Sequence, residues 1–304
     1  MKRILSVLLL SLTVLCSLWG CSNNSVSTDK TQTSVVNFCA YEDTNGISQI
    51  NEIVLPKTLS KECKTYKFTY SSHSNNIKGY ISIPNNCNSN SPFKCILYNR
   101  GGNSRIGLLT DTDTAQICSQ LDRVVVASQY RGADSGTGKD EFGGADLNDL
   151  TTLVDLCESA FDFIDMTDFC VAGVSRGGMM AYMLARSDHR ISRIIAVSAV
   201  SDLSRAYNER EDMRTLLTNC IGGSPEALPN EYEKRSAICW ADEITVPVLM
   251  IHSKGDEQVS FSQAEALKAE FDKNGTPCTF VTYNDSTHGM HKEDISVIKD
   301  WLSK

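Results

Sequence analysis

Apolar and polar residues alternate along this chain in two rhythms. Residues 66–70 and 77–83 alternate with a period of two, and the polar stretch 71–76 joins them. They predict an antiparallel pair of strands at the start of a sheet. Further on, short apolar runs recur at 95–98, 123–128, 169–174, 191–198 and 247–251, and a last strand is expected at 279–283. Runs of that length and composition read as strands buried on both faces. Helical spacing separates them, at 113–121, 146–163, 177–186, 262–271 and 292–302. The second of these places apolar residues at 147, 150, 153, 154, 157 and 161, one face of an amphipathic helix. Strand and helix taking turns predict an α/β fold, with a mostly parallel central sheet and helices on both faces.

Residues 201–245 break the rhythm. They are polar, helical over 204–220, and interrupted by Gly222, Gly223, Pro225 and Pro229. They read as a small helical insertion over the strand ends, a partial lid. Tyr207, Tyr232 and Trp240 within it either line a pocket or pack.

The N-terminus follows neither rhythm. Lys2 and Arg3 precede an apolar stretch from 4 to 18, the pattern of a signal peptide over residues 1–20. The run is too short for a spanning helix, which needs about 20 residues. It ends Leu18-Trp19-Gly20-Cys21, which resembles a bacterial lipobox and makes Cys21 the expected lipidation site. Residues 22–45 read as a flexible tether, since the polar residues that dominate it cannot bury enough surface to fold. Residues 46–304 then form the catalytic domain. The expected location is the periplasmic or outer side of a bacterial membrane, held by an N-terminal lipid.

Composition adds limits. The full chain has 304 residues and a net charge of −8. Removing Lys2 and Arg3 with the signal leaves 27 basic against 37 acidic residues, from the 29 and 37 of the full chain, or −10. No basic patch invites nucleic acid. Twelve cysteines are present. Cys118, Cys157 and Cys170 sit in apolar patterns and read as buried thiols. Cys87 and Cys95 flank a polar loop and are the expected disulfide, which an exported protein permits. No cysteine or histidine cluster has zinc spacing, so neither a metal nor a cofactor is expected.

The chemistry centres on Gly173-Val174-Ser175-Arg176-Gly177, a G-x-S-x-G pattern between a strand and a helix. A strand turning at once into a helix strains its corner residue, and glycines two positions away remove the side chains that would collide. The corner lifts the Ser175 hydroxyl clear of the sheet. A serine of this kind needs a base and an orienting acid beyond later strands. Asp256 follows the strand 247–251, and His288 follows 279–283. His291 is the rival base; Asp285 and Glu257 are rival acids. His252 reads as packing, and His73 and His189 as surface residues. The oxyanion donors expected are the backbone N–H of Arg176 and one from Arg100 or Gly101, in the Gly-Gly loop after the strand 95–98. The glycines of 129–138 match no phosphate-binding pattern.

Four segments together carry a resemblance. They are Gln129-Tyr130-Arg131-Gly132 with Glu141 to Asp146; Gly173 to Gly178; Ile251 to Val259 with Gln263; and Thr287-His288-Gly289-Met290. From about residue 66 to 302 the chain resembles the catalytic domain of the prolyl oligopeptidase family, peptidase family S9, on the α/β-hydrolase fold. Ser253 and Ser260 replace the family's usual Gly and Pro, and Arg100 stands where many members carry Tyr or His. The family's N-terminal propeller is expected to be absent, since it has no room between Cys21 and Tyr66. The resemblance implies a serine peptidase acting on short peptides through an acyl-enzyme on Ser175. A carboxylesterase on the same fold is the alternative, and an inactive binding protein a third.

Overall fold

A computed structural model describes residues 36–304. The expected signal peptide and Cys21 lie outside the described residues. The strands are β1 (Ile47–Glu52), β2 (Cys63–Ser72), β3 (Asn75–Pro84), β4 (Phe93–Asn99), β5 (Val124–Ser128), β6 (Ile164–Val174), β7 (Arg193–Val197), β8 (Val248–Ser253) and β9 (Cys278–Tyr283). The helices are α1 (Lys57–Ser60), α2 (Asp113–Leu121), α3 (Leu147–Ser159), α4 (Arg176–Ser187), α5 (Leu203–Glu209), α6 (Glu211–Ile221), α7 (Pro229–Glu233), α8 (Phe261–Asn274) and α9 (Asp294–Leu302).

All nine strands join one sheet in the order β1-β2-β3-β5-β4-β6-β7-β8-β9. The first three run antiparallel, and β3 meets β5 antiparallel. From β5 through β9 every pair is parallel. The two sequence rhythms map onto these halves. β5 and β8 are buried at every position, as parallel strands covered on both faces require. α2 and α9 cover one face through Ala115, Cys118, Ile298 and Trp301. α3, α4 and α8 cover the other through Leu150, Leu153, Met180, Leu184, Leu267 and Phe271.

Three expectations need correction. Residues 36–45 are not part of a tether, and residues 22–35 lie outside the described residues. Val36 and Phe38 are buried, and the Phe38 ring lies 5.2–5.5 Å from those of Tyr41, Tyr66, Phe68 and Phe161. That aromatic cluster outweighs the polar composition around it, and β1 follows as an edge strand. Cys87 and Cys95 form no disulfide; all ten cysteines among the described residues are free. Both thiols point into the sheet core, where Cys87 Sγ sits 3.7 Å from the Phe163 carbonyl oxygen. Burial pushes the Cys87 thiol up to about 12, so it stays protonated. Finally, the helix expected over 204–220 splits at Arg210, whose backbone is extended (φ −130°, ψ 123°).

The insertion carries α5, α6 and α7. Tyr232 and Trp240 are buried, and Tyr207 packs edge-on to Tyr232 at 5.8 Å. These aromatics therefore pack. The pocket-facing residues of the insertion are Ala206, Arg210, Asp212, Met213 and Leu216.

Candidate active site

β6 runs straight into α4, and Ser175 occupies the corner with φ 57° and ψ −121°. A non-glycine residue held there costs about 1–3 kcal/mol, which the surrounding fold must offset. The close packing shows why glycines flank it. A Cβ on Gly173 would fall 2.2 Å from the Gly177 carbonyl carbon, and one on Gly177 only 2.0 Å from the Asn99 oxygen. Any side chain at Gly177 would push the end of β4 away from the corner.

Asp256 and His288 come together from separate loops. His288 Nδ1 lies 2.8 Å from Asp256 Oδ2 and 3.1 Å from Oδ1. A carboxylate only accepts, so Nδ1 carries the proton and Nε2 is left as an acceptor. Burial pushes the Asp256 carboxyl up, but His252, His288 and the N–H groups of Val259 and Gln258 outweigh it and hold it well below the usual range. The two loops are tied by the Gly255 N–H donating to the Asp285 oxygen at 2.8 Å. The Gly289 N–H donates to Ser198 Oγ at 3.1 Å, anchoring the histidine loop to the end of β7.

Ser175 and His288 face one cavity of about 310 Å³. Among the described residues the Ser175 hydroxyl has no hydrogen-bond partner, His288 included. Such bonds often close only around a substrate. Gly101 lines the same cavity, and a Cβ placed on it would lie 3.5 Å from the Ser175 Cβ. Its N–H makes no hydrogen bond among the described residues, and the Arg176 N–H heads its helix with no intrahelical acceptor. Arg100 does not line the cavity; its side chain is buried and donates to the Gln129, Gly101 and Ile106 carbonyls.

The rivals stand elsewhere. His291 is stacked on Tyr283 at 3.8 Å and lies 3.0 Å from Asp285. Glu257, His73 and His189 are exposed. His252, read as packing, does more: its Nε2 lies 2.9 Å from the Val259 oxygen and 3.4 Å from Asp256 Oδ2. It braces the same carboxylate oxygen that His288 contacts, and the four-residue spacing to Asp256 was the available signal. Gln263 accepts from the Ser201 and Asp202 N–H groups, fastening the insertion to α8.

A buried charged cluster under the corner went unread. Arg176 is 1% exposed, and its guanidinium pairs with Asp140 at 2.8 Å and with Asp146. It also donates to the Gly102 oxygen at 3.1 Å and lies over the Tyr130 and Phe142 rings. Asp140 in turn accepts from the Ser104 N–H at 2.7 Å. Arg176 thus ties the helix that follows Ser175 to the Gly-Gly loop. Replacing it by Met would leave two buried carboxylates without their cation. We expect Arg176→Met to lose about 3–5 kcal/mol of stability, read by urea denaturation; a loss below about 1 kcal/mol would mean that the carboxylates find other partners.

Residues 110–303 match the prolyl oligopeptidase family. The chain is 29% identical over 230 residues to the uncharacterized peptidase YtmA of Bacillus subtilis (strain 168), covering 75% of this chain and 88% of that protein. Its fold is similar to the acylaminoacyl peptidase of Pyrococcus horikoshii, with a TM-score of 0.70 and 15% identity over 80% of this chain and 42% of that one. It is also similar to the acetyl xylan esterase of Paenibacillus sp. R4, with a TM-score of 0.66 and 15% identity over 84% and 87% of the two chains. Both are enzymes, and the first is less than half spanned. The parallel sheet, the strained Ser175 corner and the matched span lead to one conclusion: the chain belongs to the prolyl oligopeptidase family, as a serine hydrolase on the α/β-hydrolase fold.

Proposed function

We propose that the protein cleaves the peptide bonds of short peptides through an acyl-enzyme on Ser175. The observation that carries this reading is the convergence of the strained Ser175 corner and the Asp256–His288 pair on one cavity. Ser175 Oγ attacks the scissile carbonyl carbon while His288 Nε2 takes its proton. The oxygen turns negative and accepts from the Gly101 and Arg176 N–H groups. His288 then protonates the departing amine, and the acyl group stays on Ser175. Water, deprotonated by the same nitrogen, releases the acid and restores the serine. Asp256 fixes the tautomer and stabilises the imidazolium throughout.

The cavity sets the scale of the substrate. At about 310 Å³ it stands at the low end of the usual range of ~300–1,000 Å³. Its walls include Phe142, Val200, Met213, Leu216 and Val259. Small apolar groups suit it. The family membership and the peptidase names of the relatives support an amide bond. A second reading, an esterase for small acyl groups, is favoured by that small apolar cavity and by the 87% coverage of the acetyl xylan esterase.

Burst kinetics on aminoacyl p-nitroanilides and p-nitrophenyl esters separate the two. Anilide turnover that Ser175→Ala abolishes is the expected result. Turnover of esters alone would replace the peptidase reading by the esterase one. No turnover of either would remove both.

A further inference from the structure

The loop beyond β5 contains a residue that neither reading uses. Tyr130 is completely buried and holds a left-handed backbone, φ 61°. For a bulky aromatic residue this is a genuine outlier. β5 ends at Ser128, and its alternation does not continue; the strained turn swings the Tyr130 ring beneath the Ser175 corner instead. Ser128 Oγ accepts from the Tyr130 N–H at 3.0 Å and pins the turn.

Two cations hold the ring. The Arg100 guanidinium lies 4.9 Å from its centroid and that of Arg176 lies 4.8 Å from it. Cation–ring attraction strengthens when both partners are desolvated. The phenol is thereby aimed, and its hydroxyl donates to the Arg100 carbonyl oxygen at 3.1 Å. Burial pushes the phenol well above its ordinary range, so it keeps the proton it donates.

That carbonyl shares a peptide plane with the Gly101 N–H. In a trans peptide the C=O and N–H point in opposite directions. Holding the oxygen from below therefore fixes the direction of the N–H on the other side. Loading the oxygen also polarises the amide, because hydrogen bonds in a chain strengthen one another. We propose that Tyr130 is a positioning residue for the oxyanion hole: its hydroxyl orients and polarises the Arg100–Gly101 peptide, so that the Gly101 N–H is aimed where negative charge develops. The inference rests on the reading of Ser175 and Gly101 given above.

Tyr130→Phe tests it, because the ring and both cation contacts remain and only the hydroxyl is lost. Loss of a whole oxyanion donor costs about 10²–10³ in kcat, so loss of its alignment should cost about 10- to 100-fold. KM should stay within about two-fold, since ground-state binding does not use the donor. A boronic acid, whose adduct with Ser175 places a negative oxygen in the hole, should weaken by the same factor as kcat.

Rates are expressed per site titrated with a fluorophosphonate, so partial misfolding does not register as lost catalysis. Tyrosine fluorinated on the ring at position 130 keeps the hydroxyl and should keep wild-type kcat. A kcat for Tyr130→Phe within about two-fold of wild type would overturn the inference. So would a loss that appears in KM alone, or an equal loss with the fluorinated residue. If the wild-type protein reacts with no fluorophosphonate at Ser175, the proposed function and this inference fall together. If it reacts and turns over normally while Tyr130→Phe is unaffected, only this inference falls.

Discussion

Ser175→Ala is expected to lower turnover by about 10⁶-fold and to abolish fluorophosphonate labelling, with the fold unchanged. The substitution removes one oxygen that, among the described residues, has no hydrogen-bond partner. Alanine meets the same backbone strain at φ 57° as serine does, so stability should move little. The Asp256–His288 pair and the two N–H donors stay in place. They should sustain a residual rate about 10³–10⁴ above water, the share that binding and the oxyanion hole provide without a nucleophile. Activity within about ten-fold of wild type would mean that another group attacks the substrate.

Asp256→Asn carries the second largest effect, a fall of about 10⁴ in kcat with KM nearly unchanged. Asp256 Oδ2 accepts from His288 Nδ1 and is also approached by His252 Nε2 at 3.4 Å. Its Oδ1 also accepts from the Gln258 and Val259 N–H groups at 2.8 and 3.1 Å. An asparagine can keep its carbonyl oxygen on those two N–H groups, so the loop should hold its shape. Its amide nitrogen then faces His288 and donates where an acceptor is needed. The imidazole proton moves to Nε2, and the ring can no longer take a proton from Ser175. Steady-state kinetics with thermal melting separate the cases. A large drop in melting temperature would assign the loss to the loop instead of the tautomer.

Much of this was readable from residue types alone. Strands buried on both faces leave an unmistakable mark, and β5, β6, β7 and β8 fall at the apolar runs. The Ser175 corner was legible because sterics at one strained residue dictate glycine at fixed offsets. Asp256 and His288 were legible as residues just past parallel strands. The structure brings those two into contact, and His288 lines the cavity shared with Ser175.

What stayed hidden depends on contacts between distant segments. Arg176 looked like the free position of its motif, yet Asp140, Asp146 and Tyr130 surround it. A charged residue beside a nucleophile reads as exposed, because burial of a cation needs partners that local sequence does not show. His252 looked like packing for the same reason. The 36–45 stretch was misread because Phe38 and Tyr41 find aromatic partners as far away as Phe161 and Phe163. The Cys87–Cys95 pairing failed because flanking a loop does not decide which way two side chains point.

The order of the strands also has a consequence for how the protein comes into being. β6, which delivers Ser175, is made in the middle of the chain, whereas Asp256 and His288 follow β8 and β9 at the far edge of the sheet. On the proposed mechanism, a nascent polypeptide would therefore carry the Ser175 hydroxyl on the ribosome long before Asp256 and His288 could activate it. On that mechanism, hydrolytic power would be switched on by the last crossovers of synthesis. A protease cut between residues 256 and 288 that separated the two halves would silence the chemistry while leaving the nucleophile in its corner.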